Sequence, residues 1–108
     1  MNSLVLGHNV PGTRKNRNSI EIGASILVVA REGAKKTRIM YSANLSYGQL
    51  NRYLQLLTAT GLLAHDGLKR GYKTTERGIV YLRQYSDYET SKVLSQQKES
   101  LLRSFIGT

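Results

Sequence analysis

The sequence predicts a mainly α-helical domain of the α+β class, and three observations favour it. Hydrophobic residues make up 40% of the 108 residues and Pro occurs once, a composition typical of a folded, helix-rich chain. Apolar residues recur at helical spacing in four segments, and a short segment before the last of them alternates as a β-hairpin does. The length suffices for one domain with a modest core, and the chain has no Cys, so packing alone must stabilise it.

The first helix is predicted to begin at NSIE and to end before the Gly of REG. Asn18 or Ser19 can cap it, Glu21 lies three residues after Asn18 as a capping-box partner, and Gly33 provides the C-terminal stop. Two apolar stripes run along it, the main one with Ile20, Gly23, Ile26, Leu27 and Ala30 and a second one with Ile22 and Val29. We therefore expect this helix to be covered twice, by the core and by another element or a second chain.

The next segment predicts two helices joined by a tight turn of about three residues, the helix-turn-helix arrangement. The first of the pair, in AKKTRIMYSANL, has Thr37 as its cap, and Asn44 suits a left-handed helix end. The second begins at Ser46, with Gln49 three residues later, and ends at Gly61. The residues expected to face the core are Ile39, Met40, Ala43, Leu45, Leu50, Leu54 and Leu57, together with Tyr41 and Tyr53.

A hairpin and a long helix complete the predicted order. The strands lie in LLAH and YKTT, and the turn residues are Asp66, Gly67 and Gly71. The final helix starts at Thr74 or Thr75. Its early apolar positions are Ile79, Leu82 and either Tyr85 or Ser86. Because Ser86 with Glu89 can restart a helix, one long helix and a kinked pair are both open.

This order of elements is that of a winged helix-turn-helix with a two-stranded β-wing and a long C-terminal helix. The motifs KTRIMYSANLSYGQLNRYLQLL, GLL and YKTTERGIVYL resemble a family of small archaeal winged helix-turn-helix proteins, and the similarity covers roughly residues 17–85. The resemblance implies binding of double-stranded DNA and a C-terminal helix that pairs with a second copy as an antiparallel coiled coil. Members include chromatin-associated proteins and transcriptional regulators. After Glu89 the heptad pattern is poorer than a good coiled coil requires.

The predicted organisation has three parts. Residues 1–17 form a flexible basic arm, residues 18–78 the winged helix-turn-helix domain, and residues 79–108 a C-terminal helix that serves dimerisation. The expected homodimer contacts are Ile79, Leu82, Tyr85, Val93, Leu101, Leu102 and Phe105. The last of these residues belong to LLRSFI, which has no obvious partner within the domain if the helix projects outward.

Charge points to a polyanionic partner. Sixteen Lys and Arg against seven Asp and Glu give a net charge of +9, and residues 1–77 carry 12 basic against four acidic groups, a net +8. Double-stranded DNA is the expected partner. The longest apolar run, IEIGASILVVA, is about half of a bilayer span and contains Glu21, and the N-terminus has no basic segment typical of a signal peptide. We expect a cytoplasmic, nucleoid-associated protein with no membrane partner.

The candidate DNA-binding residues fall into four groups. The recognition helix, at about 46–60, offers Ser46, Tyr47, Gly48, Gln49, Asn51, Arg52 and Gln55. The start of the preceding helix offers Lys35, Lys36, Thr37 and Arg38, the wing at about 65–73 offers Lys69, Arg70 and Lys73, and the arm offers Arg14, Lys15 and Arg17.

Two of these residues have an alternative interpretation. Gly48 can let the backbone approach DNA, or it can permit close packing against the preceding helix. Tyr47 can place its ring in the core or direct its hydroxyl to a phosphate.

Other classes of function are less well supported. His8 and His65 are isolated, and neither GxSxG nor GxxxxGK is present, so we expect no enzyme, no metal and no cofactor. The alternative is a protein-interaction adaptor built on the same fold, although such an adaptor does not require the positive charge. RNA binding lacks an evident platform of stacking aromatic residues.

Overall fold

The computed structural model of the chain describes residues 17–107. The order of elements confirms the predicted winged helix-turn-helix fold. The elements are α1 (Ser19–Val29), β1 (Ala34–Lys35), α2 (Lys36–Ser42), α3 (Tyr47–Ala59), β2 (Leu63–Asp66), β3 (Gly71–Thr74) and α4 (Glu76–Ile106). Two residues of the predicted basic arm, Arg14 and Lys15, lie outside the described residues.

A complete capping box fixes the start of α1, as the sequence predicts. The Asn18 side chain accepts a hydrogen bond from the Glu21 amide at 2.9 Å, and the Asn18 amide donates to Glu21 Oε1 at 3.2 Å. The predicted stop at Gly33 is wrong, because Ala30 already caps the helix. Gly33, which lies three residues after Ala30 and has a φ of +100°, instead turns the chain directly into β1.

The chain itself covers α1 on two sides. Residues 21–27 are all buried, and no single stripe can explain this because a helix has 3.6 residues per turn. On one side α4 approaches closely, since the Tyr81 hydroxyl donates to the Ile20 carbonyl at 2.8 Å and a Cβ on Gly23 would lie 3.2 Å from that hydroxyl. Ile22 is buried as the second stripe requires, without a second chain, whereas Ile20 is exposed and its predicted place on the core face is wrong.

Two tyrosines of α4 stay protonated beside α1. Burial raises the pKa of Tyr81, and the nearby Tyr53 adds to this effect. Burial also raises the pKa of Tyr85, with a further contribution from Glu89. The Tyr81 hydroxyl is therefore a neutral donor across the physiological pH range, and its hydrogen bond between the two helices is insensitive to pH there.

The sheet has three antiparallel strands in the order β1-β3-β2, one more than predicted. The hairpin of β2 and β3 was expected, but β1 adds to the outer edge of β3 and pairs Ala34 with Tyr72 and Lys35 with Gly71. Gly71 is the first residue of β3 rather than a turn residue. A Cβ there would lie 2.9 Å from the Ala34 carbonyl oxygen, so the glycine permits this pairing.

The core lies between α1, α2, α3, the sheet and the first turns of α4. The predicted inward leucines of α3, at positions 50, 54 and 57, are buried, and so is Tyr53. Leu82 is buried in this same core, and Ile79 and Tyr85 pack against it half-buried. All three positions thus contribute to the core of the domain, and their expected part in a homodimer contact stays a prediction.

One continuous helix, α4, follows the hairpin, so the kinked alternative is wrong. Thr75 caps it by accepting from the Gly78 amide at 3.1 Å, and the same hydroxyl donates to the Gly61 carbonyl at 2.6 Å. With 31 residues the helix is about 46 Å long, and the described chain extends over 60 Å. Ser86 and all described residues from Val93 onward are exposed, so the second half of α4 projects from the domain.

Candidate nucleic-acid interface

The turn between α2 and α3 is built as the sequence predicts. Asn44 adopts the left-handed conformation with φ of 55°, and Leu45 is buried and donates through its amide to the Met40 carbonyl at 3.0 Å. Ser46 caps α3 in a capping box with Gln49, both hydrogen bonds being 3.1 Å long. The predicted cap of α2 is wrong, because Lys35 rather than Thr37 precedes that helix and its side chain makes no capping bond.

Arg17 binds the same turn from the N-terminal side. Its guanidinium donates to the carbonyl oxygens of Ala43 and Asn44, each at 2.6 Å. These carbonyls follow the end of α2, where a helix leaves acceptors without partners. Arg17 therefore stabilises the helix-turn-helix, and its guanidinium is not the free cation that a role in a DNA-binding arm would need.

The first turn of α3 is open to solvent. A Cβ on Gly48 would meet no neighbouring atom within 4 Å beyond its own helical turn, so the packing interpretation of this glycine is wrong. Tyr47 is 66% exposed, which excludes the interpretation that its ring lies in the core. The Lys36 ammonium lies 5.2 Å from the centre of the Tyr47 ring, and this contact joins the start of α2 to the start of α3.

The polar side chains of α3 divide into two kinds. Gln49 and Asn51 are half-buried and engaged with their own helix, since Gln49 Oε1 accepts from the Ser46 amide and Asn51 donates to the Tyr47 carbonyl at 3.1 Å. Arg52 and Gln55 are exposed. Arg52 lies over the Tyr53 ring at 5.2 Å, which leaves its N–H groups at the surface. Of this set, Arg52 and Gln55 are the freer groups for an external partner.

Cations surround the start of α2. Lys35, Thr37 and Arg38 are exposed, and Lys36 is half-buried against Tyr47.

Tyr41 was expected in the core but is 75% exposed. Its position follows from helix geometry, because two residues after the buried Ile39 the helix has turned by about 200°.

The tip of the wing is a short loop over residues 67–70. Asp66 Oδ1 accepts from the amides of Leu68 and Lys69 at 3.1 and 3.2 Å, and Arg70 has a φ of 53°. Lys69, Arg70 and Lys73 are exposed, and so is Leu68, which was not among the predicted DNA-binding residues. Its only sequence signal is an apolar residue between Gly67 and Gly71.

The unpredicted strand β1 joins these groups into one surface. Its pairing of Lys35 with Gly71 sets the start of α2 beside the base of the wing, and the contact of Lys36 with Tyr47 continues the surface to α3. No Asp or Glu occurs between Glu32 and Asp66, so α2 and α3 carry cations without carboxylates to offset them. A surface of this sign attracts polyanions.

Residues 17–107 offer neither a metal site nor a membrane-spanning helix. No group of three or more His, Asp or Glu side chains in this part of the chain could hold a metal ion. None of the helices in the same range is both long and apolar enough to span a membrane.

The fold and the cationic helix-turn-helix with its wing define a protein of the winged helix-turn-helix class. The chain belongs to the winged helix-turn-helix family, which matches it over residues 16–93. An uncharacterized protein of Methanocaldococcus jannaschii is 35% identical over 66 residues, which make up 60% of this chain and 66% of that protein. The crystal structure of Sso10a-2, a DNA-binding protein from Sulfolobus solfataricus, matches with a TM-score of 0.70 and 25% identity, covering 81% of this chain and 95% of that one.

Proposed function

We propose that this protein binds double-stranded DNA, with the start of α3 in the major groove and the wing on the adjacent backbone. The observation that carries this proposal is the continuous cationic surface from the wing through Lys35 and Lys36 to Tyr47. The similarity to Sso10a-2, itself a DNA-binding protein, supports it. In winged folds of this size the second helix of the pair fits the major groove and meets base edges with its first turn.

Different parts of this surface have different roles in the proposed complex. The cations proposed to bind phosphates are exposed, and none of the ion pairs within residues 17–107 involves them. They are Lys35, Arg38, Lys69, Arg70 and Lys73. Arg52 and Gln55 face base edges or phosphates. Gly48 allows the backbone of α3 to approach the groove closely, because no side chain stands between them.

Most of the binding free energy in this proposal comes from phosphate contacts. Base contacts by a single arginine and a single glutamine give modest sequence selectivity. This balance suits a chromatin-associated protein or a transcriptional regulator of broad specificity that acts on the nucleoid in the cytoplasm.

We further propose that the protein is a homodimer through the projecting half of α4. Residues 93–106 have no tertiary packing, and an isolated helix of about this length is marginal in water. Leu94, Leu101 and Phe105 share one face of it, at spacings of seven and four residues, and all three are exposed. A second copy would bury this face and hold two winged domains on one DNA molecule.

Salt dependence of binding to a random-sequence duplex tests the DNA proposal. We expect binding at low salt and a steep loss of affinity as salt rises, because each phosphate contact contributes about −0.9 to the slope of log K against log salt concentration. Replacing Lys35 and Arg38 with Gln should flatten the slope by about 2. The control Arg103→Gln removes a cation about 180° away from Leu94 around the projecting half of α4, and should leave the slope unchanged. No binding at low salt would overturn the proposal and favour the protein-interaction adaptor.

A further inference from the structure

Leu68 stands at the tip of the wing with its side chain 99% exposed. It is the most exposed of the large hydrophobic residues in the described chain, followed by Phe105 at 76%. Single exposed leucines are common on protein surfaces and need no explanation by themselves. The setting of Leu68 is what separates it from the others, because it lies on a short loop rather than on a helix.

The loop holds Leu68 in a defined position. The Asp66 carboxylate accepts from the Leu68 and Lys69 amides, and the pairing of Asp66 with Gly71 closes the hairpin directly below the loop. Arg70 occupies a left-handed conformation, which completes the reversal of the chain. Because these contacts fix the loop, the Leu68 side chain can contact a partner while the backbone of the loop keeps its conformation.

Two exposed cations follow Leu68 directly in the chain. Lys69 and Arg70 can bind phosphates of the DNA strand that the wing approaches, which would direct the leucine toward the groove between the two backbones. The minor groove is narrow and admits a hairpin tip more readily than a helix. Apolar side chains that enter this groove can wedge between base pairs and kink the duplex toward the major groove.

We propose that Leu68 is an apolar wedge that inserts between stacked base pairs from the minor groove, so that the wing bends DNA as well as binding it. The proposal rests on the DNA binding proposed above. It gives the protein a further, architectural activity that phosphate contacts alone do not provide. Pyrimidine–purine steps are the expected sites of insertion, because they unstack and kink most easily.

Energy transfer between dyes at the two ends of a duplex of about 20 base pairs with a central TA step tests the wedge. Fluorescence anisotropy of the same samples reports binding. We expect the full-length protein to raise the transfer efficiency at saturation, Leu68→Ser to lose that rise while still binding, and Leu68→Met to retain it. Val28→Ala, an exposed apolar residue of α1, is the matched control and should behave as the unmodified protein does.

The possible outcomes separate the two proposals. If the unmodified protein binds without raising the transfer efficiency, or if Leu68→Ser raises it equally, the wedge is wrong and DNA binding stands. If the unmodified protein does not bind the duplex at low salt, the proposed function fails and the wedge fails with it.

Discussion

At Gly48 a Cβ would meet no atom within 4 Å beyond its own helical turn, whereas at Gly78 it would collide with the Leu62 carbonyl oxygen. Gly78 lies in the first turn of α4, where the chain passes close to the end of the α3–β2 connection, so internal packing explains it. Internal packing does not explain Gly48. An open position of this kind, on an exposed and cationic surface, is what the proposed close approach of α3 to DNA requires.

Replacing Gly48 with Ala should therefore separate stability from binding. We expect the free energy of unfolding in urea to rise by about 0.5–1 kcal/mol, because alanine is the better helix former and meets no neighbour. Affinity for a DNA duplex, measured by anisotropy, should fall because the added methyl group keeps the backbone of α3 away from the groove.

The control for this variant is Ser95→Ala, which raises helix propensity at an exposed position of α4. It should change stability in the same direction and leave DNA affinity unchanged. If Gly48→Ala binds DNA as tightly as the unmodified protein, backbone approach at this position is contradicted.

The sequence could predict those residues whose structural role depends only on residues close to them in the chain. The capping boxes of α1 and α3 and the left-handed Asn44 were expected and are present, because each needs only a few adjacent residues. The prediction that Tyr41 lies in the core is wrong, because its angular position on the two-turn helix α2, about 200° from the buried Ile39, directs it to solvent. The hydrogen bond between Gln49 and Ser46 belongs to the same capping box that predicted the helix start. It occupies Gln49 Oε1 and so leaves fewer polar groups of this side chain for contact with DNA.

At the scale of elements, β1 is the strand that the sequence did not predict. A strand of two residues has no recognisable alternation, and it forms here because Gly71 leaves room for the Ala34 carbonyl, a contact between distant parts of the chain. The sequence could thus predict the helices, the hairpin and their order, but not the contact that brings the wing beside α2. The continuity of the candidate interface depends on that contact.

The hydrogen bonds from Arg17 to the turn are a second contact between distant segments. Replacing Arg17 tests how much this contact stabilises the domain. Arg17→Ala should lower the free energy of unfolding by about 1–2 kcal/mol, because two charge-assisted hydrogen bonds to the Ala43 and Asn44 carbonyls are lost at a partly exposed site. Urea unfolding monitored by circular dichroism measures this change. Arg31→Ala removes the same charge from an exposed position after α1 and should stay within about 0.5 kcal/mol. Equal effects of the two substitutions would show that the turn does not depend on Arg17.

At the scale of the whole molecule, the excess positive charge precedes the projecting half of α4. Residues 1–77 carry the net +8, while the projecting helix is close to neutral and exposes its leucines and Phe105. Two salt bridges, Glu89–Lys92 and Glu99–Arg103, lie within this helix and contribute only a few tenths of a kcal/mol each. They do not replace tertiary packing, so the proposed dimer accounts for the order of the projecting half of α4.

Removing residues 93–108 should make the protein a monomer without unfolding the winged domain. All described residues from Val93 onward are exposed, so their loss leaves the core intact. Sedimentation should report the mass of one shortened chain, which is half the mass of the dimer minus the mass of the removed segment. The melting temperature of the full-length protein should rise with protein concentration, because association stabilises the folded state by mass action, and that of the shortened protein should not. DNA affinity should fall at least about tenfold, since two linked domains bind with an avidity that one lacks.

A single substitution can test the same dimer at unchanged helix length. Leu101→Glu places a charge on the face shared with Leu94 and Phe105, and should give the same monomer and the same loss of affinity as the truncation. Gln96→Glu places that charge about 160° away from Leu94 around the helix and should preserve the dimer. A full-length protein that sediments as a monomer, or a Leu101→Glu variant that stays dimeric, would contradict pairing through this face and require another explanation for the exposed end of α4.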